Sequence, residues 1–331
     1  MSRSYESRGP RISRITGRRR TLTRMTTLEA VPQVRPTGFG ASIATMLFSG
    51  TSTQVGAAVG AHAFSAIGPV GVVAVRQLVA ACVLLPVARP PMHRFTWRQW
   101  WPTLLLGLVF AVMNLGLYTA VDRLGLALAV TLEFLGPLGV ALVRSRTRLD
   151  AVCAVFAGAG VVVLMAPGPS TDWPGIAAGL VGAACWAAYI LLNAEVGARI
   201  PGLQAPAAAS TISVVLCLPV LITLGVQGRF TATALAAAIG AGICSSVVPY
   251  ACDVMMLRRV PAQFFGVFMS VNPVLASLVG IVLLGEVLEA REWLGVVMVI
   301  AANVVTTSRT AARARTWSAH PSGPAGPTGR R

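Results

Sequence analysis

The sequence has no lysine, eleven acidic residues and three histidines among 331. Charged residues make up 11%, where a soluble domain carries about a quarter. A water-soluble fold must cover itself with polar groups, and a chain 55% hydrophobic with mean hydropathy +0.72 has too few. No P-loop is present, which excludes ATP hydrolysis by that route. No serine has a recognisable base partner, and His62, His93 and His320 stand apart from one another. The six cysteines, at 82, 153, 185, 217, 244 and 252, all lie in apolar runs and form no CxxC pair. They read as small hydrophobes, with neither a disulfide nor a metal site expected. No hydrophobic signal segment precedes residue 37.

What the sequence does have is long continuous apolar runs. In lipid the backbone must satisfy itself, so a spanning segment is a helix or part of a closed barrel. A barrel would show short alternating segments. The runs therefore predict helices, and at about twenty residues per span they fall at 40–62, 67–88, 100–121, 124–143, 149–167, 174–193, 204–226, 232–254, 262–284 and 289–308. Basic residues mark the cytoplasmic side. Even-numbered gaps carry Arg89, Arg94 and Arg98, then Arg144, Arg146 and Arg148, then Arg199, then Arg258 and Arg259. Odd-numbered gaps carry Arg123 beside Asp122, Asp172, Arg229, and Glu286, Glu289, Arg291 and Glu292. This alternation predicts ten spans with both termini cytoplasmic. Residues 1–36 hold nine arginines and two acids, and residues 309–331 five arginines and no acid, so three quarters of the net charge of +16 sits in the tails. Nucleic-acid binding is one reading of such tails; topology, with contact to anionic lipid, is the plainer one. Trp100, Trp101, Trp173 and Trp293 fall mostly at span starts and read as interfacial anchors.

The chain also repeats weakly. Leu84-Leu85-Pro86-Val87 echoes Cys217-Leu218-Pro219-Val220, and Leu135-Gly136-Pro137-Leu138 echoes Val271-Asn272-Pro273-Val274, about 135 residues apart. The expected organisation is a disordered basic tail over 1–38, one five-helix repeat over 39–168, a second over 169–308, and a basic disordered tail over 309–331. Five spans is an odd number, so the second repeat is inverted relative to the first. Inverted repeats with a site near the midplane are characteristic of secondary transporters.

Ionisable groups at membrane depth need a reason. Arg76 lies mid-way along the second span and Glu133 along the fourth. Either they pair and fix helix register, or they face a polar cavity, Arg76 toward a substrate carboxylate and Glu133 toward an ammonium group or a proton. Asp253 is either an interfacial partner of Arg258 and Arg259 or a site residue. Trp186, Tyr189 and Asn193 share one face of the sixth span, Asn114 and Tyr118 one face of the third, and Thr51 and Gln54 lie together in the first. Tyr250 follows Pro249. These polar residues either bond between helices or line the cavity. Pro137 and Pro273 occupy matching places and each frees a carbonyl one turn earlier, as a bare kink or as a gating break; Asn272 precedes the second. Gly56-x-x-x-Gly60 and Gly175-x-x-x-Gly179 are packing signals.

Several stretches resemble the drug/metabolite transporter superfamily. They are Thr131-Leu-Glu133-Phe-Leu-Gly-Pro137, Ala184-Cys-Trp186-Ala-Ala-Tyr189-Ile-Leu, Val248-Pro249-Tyr250, and Phe268-Met-Ser-Val-Asn272-Pro273 leading to Leu284-Gly-Glu286. Within it they are similar to the EamA-type threonine/homoserine exporters over residues 40–308. The resemblance implies ten helices in two inverted halves and export of small amino acids or related metabolites by proton antiport, with Glu133, Trp186 and Tyr189 at motif positions. The likeness departs at Asn272 and Asp253, where related exporters carry glutamate. The function expected is therefore a non-enzymatic exporter in the bacterial plasma membrane. It needs no cofactor, binds a small substrate, protons and lipid but no nucleic acid, and leaves a homodimer open. A multidrug or hydrophobic-cation exporter is the alternative, ahead of a membrane-embedded enzyme or a scaffold.

Overall fold

The structure is a computed structural model and describes residues 39–144, 148–165, 171–200, 202–249, 252 and 271–319. The regular elements described there are all helical. Helix α1 runs Phe39–Ala61, α2 Phe64–Ala88, α3 Trp97–Leu124, α4 Leu126–Glu133, α5 Leu135–Arg144, α6 Arg148–Met165, α7 Trp173–Gly197 and α8 Gln204–Val226. Helix α9 covers Ala232–Gly242 and continues through a π-turn, Ile243–Val247; α10 covers Asn272–Val279 and continues through another, Gly280–Leu284; α11 is Ala290–Ala319.

Local chemistry sets the ends. Thr96 and Gln99 form a capping box at the start of α3. Arg89, at φ 44°, closes α2 and bonds back to the Pro86 carbonyl. Gly125, at φ 87°, separates α3 from α4 in a conformation that glycine adopts without strain. The apolar run expected as one span over 124–143 is two helices, broken at Phe134, because Pro137 has no N–H to return to the Glu133 carbonyl. The last helix runs past residue 308 to Ala319, so the first turns of the tail expected to be disordered are helical. Its Ala/Arg-rich sequence favours helix, and no proline or glycine intervenes before Pro321.

Among the described residues four helices, α2, α3, α7 and α8, are both long and apolar enough to cross a membrane, alongside shorter apolar helices. Leu104, Leu105 and Leu108 on α3 and Leu216, Leu218 and Ile222 on α8 stay exposed on the outside of the bundle. A patchwork of that extent suits lipid, not water. The main core gathers Val72, Val73, Tyr118, Leu126, Val130, Phe134 and Ala276 around α2, α3, α4 and α10, with further buried members from α1, α8 and α9.

The packing has a pattern. Helix α3 packs on α7 as α9 packs on α1; α3 packs on α8 as α2 on α9; α5 packs on α7 as α10 on α1. Helices α2 and α8, α4 and α10, and α6 and α11 pair directly. The crossings use small residues. A Cβ on Gly116 of α3 would stand 2.7 Å from the Ala178 carbonyl and 2.9 Å from the Gly182 amide of α7. Gly56 and Gly60 lie against α9 and its π-turn, and Gly175 and Gly179 against α3 and α4. Gly116→Val therefore overpacks backbone against backbone and is expected to cost about 1–3 kcal/mol, measured as a lower midpoint of chemical unfolding in detergent.

At the head of α7, the Asp172 carboxylate accepts the Gly175 N–H at 2.8 Å and pairs with Arg123, at the end of α3, at 3.1 Å. The Gly175 N–H, with help from Arg123, outweighs an opposing desolvation and holds the Asp172 carboxyl below its usual value. A depressed folded-state pKa contributes stability above the unfolded value, near 4, and loses it as pH falls through the folded value. Wild-type protein is thus expected to melt above Asp172→Asn at pH 7, with the gap closing below about pH 4.

Candidate functional site

The site begins with a proline. Pro249 cannot supply the N–H that the Ser245 carbonyl would take in an α-helix, or the one that the Cys244 carbonyl would take in a π-turn. The chain winds into the π-turn just before it, with the Val248 N–H bonded to the Ile243 carbonyl. Side chains from other helices take up the two carbonyls. Ser52 Oγ of α1 donates to Cys244 at 2.8 Å, and Arg76 Nη2 of α2 donates to Ser245 at 3.0 Å. Arg76 Nε also donates to Ser246 Oγ at 3.1 Å, and Ser245 Oγ donates to the Thr53 carbonyl at 2.8 Å. The guanidinium lies 5.4 Å from the Tyr118 ring centre, a favourable cation–π placement. Its Nη1 makes no hydrogen bond among the described residues, so part of the donor fork is uncommitted there. The Tyr118 hydroxyl is buried and likewise has no partner among the described residues.

Glu133 ends α4 at the break, 7% exposed. Among the described residues its carboxylate makes no hydrogen bond or ion pair, although Arg76 is near enough to act on it electrostatically. Arg76 is thus docked on the π-turn instead of being locked to Glu133. The Phe134 ring meets Trp186 of α7 edge-on, 4.7 Å between centres, and Trp186 packs against the main core. On the other side, Gln54 Nε2 of α1 donates to Asn272 Oδ1 at 3.4 Å, both residues buried, where α10 begins with Asn272 and Pro273.

Of the residues singled out in the sequence, Gln54, Arg76, Tyr118, Glu133, Trp186 and Asn272, with Pro137 and Pro273, lie around this interior. The others separate from it. Asn114 Nδ2 bonds to the Phe110 carbonyl at 2.7 Å, the Tyr189 ring lies 5.4 Å from that of Phe110, and Asn193 Nδ2 reaches the Tyr189 hydroxyl at 3.4 Å in an exposed position. Trp186 and Tyr189 therefore share a helix face yet belong to two clusters, the second built on Leu106, Phe110 and Val196. Tyr250 and Asp253 lie outside the described residues. The reading of single helices missed Ser52, Ser245, Ser246 and Gln77, whose Nε2 joins Asn114 on the Phe110 carbonyl at 3.4 Å. The signal for the serines was present as Ser245-Ser246 a turn ahead of Pro249.

Apolar helices whose outward faces carry bare leucine and valine, around an interior holding a guanidinium and a carboxylate, are those of an integral membrane protein. Residues 173–308 match the model of the EamA-like transporter family. The chain is 32% identical over 268 residues to the threonine/homoserine exporters RhtA of Escherichia coli K12 and of Salmonella typhimurium LT2, covering 80% of this chain and 90% of theirs. It is 26% identical over 219 residues to the uncharacterized transporter YwfM of Bacillus subtilis, covering 63% of this chain and 73% of that one. A crystal structure 18% identical shares the fold with a TM-score of 0.54, covering 82% of this chain and 98% of its own. The chain belongs to the EamA-like transporter family, and small-metabolite transport across a membrane, not enzymatic turnover, is its activity class.

Because Arg76 serves the Ser245 carbonyl, its removal leaves a buried acceptor bare. Arg76→Ala is expected to lower stability by about 1–3 kcal/mol. Arg76→Lys keeps the charge without the fork and should fall between the two, as read by thermal unfolding in detergent.

Proposed function

We propose that the protein is a secondary active exporter of small zwitterionic amino acids or related metabolites, of the threonine and homoserine kind, driven by proton antiport. The observation that carries this reading is Glu133, a buried carboxylate at a helix break with no hydrogen-bond partner among the described residues, beside a guanidinium that keeps a free nitrogen. The Nη1 of Arg76 takes the substrate carboxylate. Glu133 holds the substrate ammonium and, once the substrate has left, a proton. Each face of the cycle then moves one charge partner at the same carboxylate.

Ten spans in two inverted five-helix halves, over 39–168 and 169–308, form the scaffold, with both basic termini cytoplasmic in the bacterial plasma membrane. The exchange of α1 for α7, α2 for α8, α3 for α9, α4–α5 for α10 and α6 for α11 reproduces the packing pattern, which supports that arrangement. Gly160 and Gly295 stand 135 residues apart, the repeat offset, and meet each other where α6 crosses α11, as positions on a two-fold axis do. Transport proceeds by rocking the halves about the midplane.

In proteoliposomes, Glu133→Gln is expected to reduce threonine transport driven by a pH gradient at least tenfold while the protein remains folded; undiminished transport would remove Glu133 from the mechanism. A hydrophobic-cation exporter is the second reading, favoured by the Phe134–Trp186 ring pair beside Glu133. Uptake of tetraphenylphosphonium in place of threonine would select it.

A further inference from the structure

Glu286 lies in the turn after α10, on the opposite half of the chain from α4, yet its side chain completes α4. Gly285, at φ 67°, reverses the backbone so that the Glu286 N–H bonds to the Gly280 carbonyl at 3.1 Å. The carboxylate then lies across the first turn of α4, accepting the Leu126 N–H at 2.5 Å and the Ala127 N–H at 3.3 Å. Those amides have no partner inside their own helix, and the N-terminal end of a helix favours negative charge. The residue at the N-cap is Gly125, which has no side chain to offer. Two glycines make room for the carboxylate. A Cβ on Gly125 would stand 2.9 Å from Oε1, and a Cβ on Gly280 would collide with Oε2. The contact joins residues 160 apart and spans the interface of α4 with α10. Helix α4 is eight residues long, so its other end, Glu133, is about 12 Å away.

We propose that Glu286 is a latch between the two halves: its carboxylate, seated on the first turn of α4, holds the outward end of the bundle shut and positions Glu133, and its release lets α4 leave α10 when the site opens outward. The latch rests on the alternating-access reading and on the orientation drawn from the arginines.

Hydrogen exchange in lipid nanodiscs without substrate tests it on the full chain carrying Glu286→Gln or Glu286→Ala. Exchange over Leu126–Thr131 should rise at least threefold, while exchange at the opposite end of the bundle, over Val196–Ala205, falls at least twofold. A change confined to the first turn of α4 marks a cap and nothing more, and overturns the proposal, as does no change. Should the alanine variant fail to fold, the glutamine variant, which keeps the shape, decides. Threonine counterflow is the second measurement. Half-saturation is expected to fall at the outer face and rise at the inner face, and a parallel change at both faces overturns the latch. Wild-type protein that moves no threonine but whose variants show the reciprocal exchange pattern would end the substrate reading and leave the latch standing.

Discussion

In a bilayer a backbone carbonyl without a donor finds no water to replace it, and this chain creates such carbonyls with its prolines. Pro249 lacks the N–H that the Ser245 carbonyl would take in an α-helix or the Cys244 carbonyl in a π-turn, and Ser52 and Arg76 donate to these two carbonyls. Pro102 does the same inside α3, and the Arg98 carbonyl it frees accepts Nη1 of Arg199 at 2.5 Å, with that guanidinium 5.5 Å from the Trp101 ring. Pro137 breaks the run after Glu133. Pro249 and Pro102 each turn a stretch of self-sufficient helix into a docking point, and arginine, with five donors, is well able to use one. The positive charge at the heart of the bundle is thereby a structural bond as well as a candidate ligand.

That double duty explains why the interior is not a closed ion pair. Were Arg76 spent on Glu133, the two charges would offset each other and leave neither for the zwitterion proposed as substrate. Docking Arg76 on α9 keeps it about Glu133's neighbourhood without consuming the carboxylate. It also ties α2 to the π-turn after α9, so the charge sits on the interface that the proposed rocking of the two halves would shear. The Gln54–Asn272 bond and the Glu286 cap cross between the proposed halves as well, both reaching to or from the α10 region. These directional contacts supplement a core of valine, leucine and aromatic side chains and crossings where glycines let the helix backbones approach closely.

Much of this was legible without the fold. Among the described residues hydropathy located most helix ends to within a few residues, since a span is a local property of about twenty neighbours; the start expected at 262 lies outside them. The motifs around Glu133 and Trp186 pointed to the family that the relatives establish. Pro137 announced the break that divides one expected span into α4 and α5. The end of α11 was not legible, because alanine and arginine are as good in a helix beyond the membrane as the apolar run is within it.

What the sequence by itself determined is membrane residence, helical class, family and the presence of charge where charge is costly. The tertiary structure alone decided what each polar group is for: Arg76 on the π-turn and not on Glu133, Trp186 beside the break with Tyr189 apart from it on Phe110, and Glu286 across the interface on α4. The physical reason is that these helices are apolar on nearly every face. A helix in water shows its inward side by its hydrophobic stripe; a helix in lipid shows none, so which faces meet is settled only by small residues, prolines and single polar side chains finding one another across the bundle.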